Sequence, residues 1–93
     1  MIGQSNVVQI PKTSPKQRSA LRLAKLIQKR RIERGISQAD LAQEIGVSLS
    51  TVVKWESQLN PTLPSRVVRK PILNLLDIDI DNMIESGELE LMG

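Results

Sequence analysis

The chain has 93 residues, with 13 Lys and Arg against 10 Asp and Glu, one Trp, and no Cys, His, Phe or Tyr. A domain of this size has one modest core and no room for a deep substrate cavity. Without Cys or His there is no thiolate nucleophile, no imidazole proton relay, and no zinc or haem site of the usual kind. An enzyme is therefore the least expected class of protein, and we expect neither a cofactor nor a metal.

Charge is distributed unevenly along the chain. Residues 1–38 carry nine basic residues and one acidic residue, residues 39–60 one and three, and residues 61–93 three and six. This asymmetry predicts a basic end that meets a polyanion and an acidic end kept away from it. A solvated helix that happens to be rich in Lys and Arg is an equally simple explanation.

No apolar run approaches the roughly 18 residues that a membrane-spanning helix needs. The first residues also lack the basic and then apolar order of a signal peptide. We therefore expect a soluble, cytoplasmic protein.

The first helix is predicted to begin at Pro15. Residues 1–13 contain one short apolar patch and a Pro at position 11, so we interpret them as a flexible arm. Ser14 supplies a cap for the helix that starts at Pro15, and Gly35 ends it. The inward face repeats at three- and four-residue steps, through Ala20, Leu23, Ala24, Ile27 and Arg31.

Two short helices joined by a tight turn follow. Ser37 and Asp40 have the spacing of a capping box, and Gly46 ends the helix that they begin. Ser48 caps the next helix, which we expect to run from residue 49 to about residue 57. Apolar spacing predicts the inward residues of both helices: Leu41, Ala42 and Ile45, then Val52 and Trp55. Two such helices with Gly in the turn make a helix-turn-helix.

Two further helices are predicted in the last third of the chain. Ser65 supplies a cap for the first of them, but Pro71 removes an amide donor inside it. We therefore expect either a kink or a helix that starts at Pro71. Asp79 caps a last helix over residues 80–86, which Gly87 ends. The alternation that follows is a weak strand pattern, with residues 7–10 as one pairing partner.

One set of residues spans the helix-turn-helix and its flanks: Arg31-Ile32, Gly35-Ile36-Ser37-Gln38, Leu41-Ala42, Ile45-Gly46-Val47-Ser48, Ser50-Thr51-Val52 and Trp55-Glu56. With these residues, the chain from residue 23 to residue 84 resembles the lambda repressor/Cro-like (XRE-type) helix-turn-helix family of bacterial and phage DNA-binding proteins. The resemblance implies an all-α fold, a compact bundle of about five short helices. The domain then covers residues 14–87, between the arm and a tail at residues 88–93. A bacterial or phage nucleoid-associated protein is implied.

The resemblance also implies how the protein works. Residues 49–56 are the recognition helix of a transcription regulator, typically a repressor that binds a palindromic operator as a homodimer. Gln38 bonds a backbone phosphate, and Arg31 pairs with Glu56. Two features depart from the family pattern, because no Gly follows Glu56 and residues 60–71 are rich in Pro.

A recognition helix presents its first exposed residues to the bases, which here are Leu49, Ser50, Val53 and Lys54. Lys54 suits a guanine edge, whereas Leu49 and Val53 suit thymine methyl groups or extra core contacts. The Thr51 hydroxyl serves either a phosphate or the start of its own helix. The expected phosphate contacts are Gln38, Thr51, Lys25, Lys29 and Arg30, with Lys12, Lys16 and Arg18 beside them.

Two alternatives stay open. Asp77, Asp79, Asp81 and Glu88 have the ligand spacing of a calcium-binding EF-hand loop, although Asn82 stands where that loop requires Gly. The second alternative is an antitoxin or co-regulator that binds DNA only with a protein partner. The acidic C-terminal end would then be the docking surface, with the apolar side chains Leu89, Leu91 and Met92.

Overall fold

The computed structural model describes residues 15–89, which form five helices and no strand. In chain order these are α1 (Pro15–Glu33), α2 (Gln38–Ile45), α3 (Leu49–Trp55), α4 (Arg66–Leu76) and α5 (Ile80–Glu85). The predicted all-α bundle with a central helix-turn-helix is confirmed. The arm, the Ser14 cap and the pairing of the tail with residues 7–10 lie outside the described residues. No helix within residues 15–89 is long and apolar enough to cross a membrane.

The core lies between α1 and the four shorter helices. α1 buries the predicted stripe of Ala20, Leu23, Ala24 and Ile27. The other helices and their connections bury Leu41, Ala42, Val52, Trp55, Val68, Ile72, Leu76, Ile78 and Ile80. Because residues at this spacing share one side of a helix, α1 packs against α3 and α4 together. α1 therefore contacts both halves of the domain, the helix-turn-helix half (α2 and α3) through α3 and the C-terminal half (α4 and α5) through α4.

α2 begins and ends at the residues that the sequence predicts, with a capping box at Ser37 and a glycine C-cap at Gly46. Ser37 Oγ accepts a hydrogen bond from Asp40 N at 2.9 Å, and Ser37 N donates to the Asp40 carboxylate at 3.4 Å. Gly46 ends α2 with φ at +90°, a conformation that favours glycine. The amides of Gly46 and Val47 both donate to the Ala42 carbonyl, and only three residues, 46–48, separate α2 from α3.

α3 begins at the predicted cap and ends early. Ser48 Oγ accepts from Thr51 N at 3.2 Å. The helix ends at Trp55 with Glu56 as its C-cap, so the expected end near residue 57 is too late. Thr62 N donates to the Lys54 carbonyl at 3.2 Å, which folds the following loop back onto the last turn of α3.

α4 differs from the sequence-based expectations in its capping and in its starting residue. Its N-cap residue Ser65 makes no side-chain capping bond. The helix begins at Arg66 and continues through Pro71, so the expectation that it starts at Pro71 is wrong. The proline leaves the Val67 carbonyl without its usual amide partner, and the Val67 side chain is 81% exposed.

The segment after α5 packs into the core. Asp79 Oδ1 accepts from Asn82 N at 3.0 Å, which is the predicted cap of α5. Beyond Gly87, Leu89 is 1% exposed and its amide donates to the Met83 carbonyl at 3.0 Å. The expectation that Leu89 belongs to an exposed docking surface is therefore wrong, because this side chain is part of the core.

The calcium alternative finds no support in the described residues. Asp77 lies 3.8 Å from Arg30, Asp79 caps α5, and Asp81 pairs with Arg69 at 2.9 Å. These carboxylates have separate partners, and residues 15–89 contain no group of three potential ligands that could hold a metal ion.

Candidate nucleic-acid interface

α3 has one buried and one exposed face. Val52 and Trp55 are 0% and 3% exposed and pack in the core, as predicted for Trp55. On the other face, Leu49 and Val53 are 49% and 45% exposed. Ser50 and Lys54 are exposed beside them, and Lys54 makes no side-chain bond within residues 15–89. The structure thus brings the four expected base-contacting residues onto one accessible surface.

A buried ion pair fixes α3 against α1. Arg31 Nε donates to Glu56 Oε2 at 2.7 Å, and Arg31 Nη2 donates to Glu56 Oε1 at 3.0 Å. The two side chains are only 12% and 2% exposed. Arg31 Nη1 also donates to the Ile36 carbonyl at 2.8 Å, so the same guanidinium holds the turn before α2. Bidentate pairing of this kind restricts orientation as well as distance.

The surroundings of Arg31 favour its charged form. The hydrogen bonds that Arg31 donates to the Glu56 carboxylate raise the pKa of Arg31, with burial opposing the effect and the negative charge of Glu56 adding to it. A raised pKa means that the stability contributed by this group is complete below the usual arginine range. It is lost only as the pH rises through the folded-state pKa. Arg31 is therefore charged at neutral pH.

Gln38, the first residue of α2, joins the same cluster. Its Nε2 donates to Glu56 Oε1 at 3.1 Å. This bond fixes which end of the amide faces Glu56. An amide nitrogen carries two hydrogens, so one donor remains for another acceptor. Sequence reasoning predicted a phosphate contact for Gln38 but not its bond to Glu56, for which the sequence has no signal.

Hydroxyl groups cluster at the start of α3. Ser48 Oγ lies 3.0 Å from Ser50 Oγ and 2.8 Å from Thr51 Oγ1. The Thr51 hydroxyl therefore makes a contact at the start of its own helix, which is one of its two expected roles. That contact leaves Thr51 its remaining hydrogen-bonding capacity for a second partner.

The basic residues of α1 divide into two groups. Lys25 and Lys29 are exposed, one helical turn apart, and make no side-chain bond within the described residues. Arg30 instead donates to the carbonyls of Leu76 and Asp77 at 3.0 and 3.1 Å. This contact at the end of α4 was not predicted, because a backbone acceptor leaves no mark in the sequence.

The other basic residues expected near this surface, or found beside it on α1, are Arg22, Arg18, Lys12 and Lys16. Arg22 Nη1 donates to the Glu88 carbonyl at 3.0 Å, which ties α1 to the segment after α5. Arg18 is exposed. Lys12 and Lys16 lie outside the residues whose side chains are described.

The helix-turn-helix and the residues around it match a known protein family. Residues 27–81, more than half of the chain, match a family model described as helix-turn-helix, of the XRE/lambda repressor-like kind. The chain belongs to this family, whose domains bind DNA and regulate transcription. No curated protein matches the chain. The protein is thus a DNA-binding regulator, and α2 and α3 are the two helices of its motif.

Proposed function

We propose that the protein is a sequence-specific regulator that inserts α3 into the major groove of double-stranded DNA and acts as a homodimeric repressor. The observation that carries this proposal is the α3 surface itself. Its exposed side chains combine apolar and hydrogen-bonding groups, and the buried pair of Arg31 and Glu56 holds the helix in one orientation. A surface that is fixed before binding loses less conformational freedom on binding.

Each group on this surface suits a different part of the duplex. Lys54 donates to guanine O6 or N7, and Leu49 and Val53 contact thymine methyl groups. Ser50 contacts a base edge. Thr51 and Gln38 donate to phosphates, which fix the position of the helix without reading sequence.

Lys25 and Lys29 supply further positive charge to the phosphate backbone. Both side chains are exposed and lie on the side of α1 opposite the core stripe. Arg30 is assigned to the fold rather than to phosphate, because its Nη1 already donates to two carbonyls at the end of α4.

A homodimer would present two copies of α3 to the two halves of a palindromic operator. The half-sites would then lie about one helical turn apart, roughly 34 Å. Such a protein works in the bacterial cytoplasm.

The test is selection of duplexes from a random pool, followed by salt titration of the enriched sequence. We expect a palindrome and a steep salt dependence. Lys54→Ala should cost about 1–3 kcal/mol of specific binding and relax the preference at one base position. Lys29→Ala, which removes the same charge from α1, is the matched control and should weaken all sequences alike. An unchanged consensus in Lys54→Ala would contradict this placement of α3.

The partner-dependent antitoxin or co-regulator is the second candidate. The observation in its favour is a set of exposed acidic side chains at the C-terminal end: Asp77, Asp79, Asp81, Glu85 and Glu88. The same selection separates the two candidates. A lack of enrichment by the protein alone, with enrichment once a protein partner captured from cells is added, would favour the second.

A further inference from the structure

At the start of α3, the hydroxyl groups of Ser48, Ser50 and Thr51 form a cluster with Ser48 Oγ at its centre. Ser48 Oγ accepts a hydrogen bond from Thr51 N at 3.2 Å. It also lies within hydrogen-bond distance of Ser50 Oγ, at 3.0 Å, and of Thr51 Oγ1, at 2.8 Å. Three contacts therefore converge on one oxygen.

The number of hydrogens restricts how this cluster is arranged. A hydroxyl group has one hydrogen to donate and two lone pairs to accept with. One lone pair of Ser48 is taken by the Thr51 amide. To keep both hydroxyl contacts, Ser48 must donate to one neighbour and accept from the other.

The two neighbours therefore differ in what they offer to a ligand. The hydroxyl that donates to Ser48 has used its only hydrogen, so it can only accept from outside. The hydroxyl that accepts from Ser48 keeps its hydrogen and can donate outward. Ser50 and Thr51 together supply one outward donor rather than two.

We propose that Ser48 sets the hydrogen-bonding direction of Ser50, so that Ser50 selects a base with an exposed amino group, adenine or cytosine. This inference rests on the proposed function, in which Thr51 donates its hydrogen to a phosphate. Thr51 must then accept from Ser48, and Ser50 must donate to Ser48. Ser50 is left as an acceptor in the groove. Adenine N6 and cytosine N4 are the donors there, whereas guanine and thymine present acceptors.

The experiment starts from the duplex enriched by the unaltered protein. Ser50→Ala identifies the base position that Ser50 contacts, because the preference there is lost. At that position we expect the unaltered protein to favour adenine over guanine, or cytosine over thymine, by roughly five- to tenfold, as one hydrogen bond allows.

Two variants test the role of Ser48 by different routes. Thr51→Val keeps the shape and the cap but frees the Ser48 hydrogen for Ser50, which can then donate to a base. Ser48→Gly removes the central oxygen, at a cost of only a few tenths of a kcal/mol in capping. Both should reduce the preference to about twofold or less. Thr51→Val should also weaken binding to all sequences, through its lost phosphate contact.

Ser65→Gly is the matched control for Ser48→Gly. It also places glycine at an N-cap, but the Ser65 side chain makes no capping bond. We expect it to leave both the affinity and the base preference unchanged. Circular dichroism of each variant checks that the helices are retained.

The outcomes separate this inference from the proposed function. If the unaltered protein selects an operator but Ser50→Ala changes no base preference, the inference is wrong and the function stands. The same holds if the preference is for guanine or thymine, or if it survives in both Thr51→Val and Ser48→Gly. If no sequence is enriched at all, the proposed function itself fails.

Discussion

The two halves of the domain are attached to α1 by different chemistry. On the helix-turn-helix side, Arg31 pairs with the side-chain carboxylate of Glu56. On the C-terminal side, Arg30 and Arg22 donate to backbone carbonyls, those of Leu76, Asp77 and Glu88. The helix-turn-helix half is thus held by a buried carboxylate that accepts two hydrogen bonds from Arg31. In the C-terminal half the hydrogen-bond acceptors are backbone carbonyls, and the nearest carboxylate, that of Asp77, is exposed and 3.8 Å from Arg30.

This difference affects how each half tolerates substitution. A backbone carbonyl is present whatever residue occupies its position, so changes at Asp77 or Glu88 leave these acceptors in place. The Glu56 carboxylate has no such substitute. The orientation of α3, on which recognition of DNA depends, therefore requires a specific side chain at both partners, Arg31 and Glu56, whereas the bonds to the C-terminal half require only the arginines Arg22 and Arg30.

The largest expected effect comes from breaking the buried pair. Glu56→Ala should lower the free energy of unfolding by about 3–5 kcal/mol, because it leaves the Arg31 charge buried without its partner. Denaturant unfolding followed by circular dichroism measures the change. Asp81→Ala is the control, since Asp81 is 62% exposed in its pair with Arg69 and an exposed pair contributes less than about 1 kcal/mol. Equal losses in the two variants would contradict the importance of burial.

The next largest effect is expected in the C-terminal half. Leu89→Ala should cost about 2–4 kcal/mol, because it leaves a cavity where a fully buried side chain packed. Leu59→Ala makes the same chemical change at a side chain that is 93% exposed, and should alter stability by less than about 0.5 kcal/mol. A small loss for Leu89→Ala would show that this segment contributes little to the core.

The smallest effects distinguish two adjacent cations. Arg30→Ala should cost about 1–2 kcal/mol of stability through its lost bonds to carbonyls, and should leave the salt dependence of DNA binding unchanged. Lys29→Ala should leave stability within about 0.5 kcal/mol and reduce the slope of the salt dependence by about one. If Arg30→Ala flattened the salt dependence instead, Arg30 would belong to the phosphate contacts.

Local signals predicted most of the fold. The capping box at Ser37 and the caps at Ser48 and Asp79 are interactions within one turn, so the sequence contains both partners at fixed spacing. The buried stripe of α1 follows from the helical repeat alone. The pairing of Arg31 with Glu56 is a contact between residues distant in the sequence, and it came only from the family resemblance.

The features that were missed depend on tertiary packing. The local rule for proline allowed either a kink at Pro71 or a helix that starts there. The second alternative is wrong, because Val68, Ile72 and Leu76 are buried at four-residue spacing and hold α4 together across the proline. Leu89 follows a glycine in an alternating segment, a pattern typical of a strand. Neither the proline nor the alternation indicates which core surface is available to receive the side chain.

The burial of Leu89 has a consequence for the dynamics of the domain. Residues that follow a helix and are not tied to the core usually exchange their amide hydrogens with solvent rapidly. Here the Leu89 amide donates to the Met83 carbonyl and its side chain is 1% exposed. Exchange at this amide therefore requires the core to open, and its rate reports the opening of the C-terminal half rather than local fraying after α5.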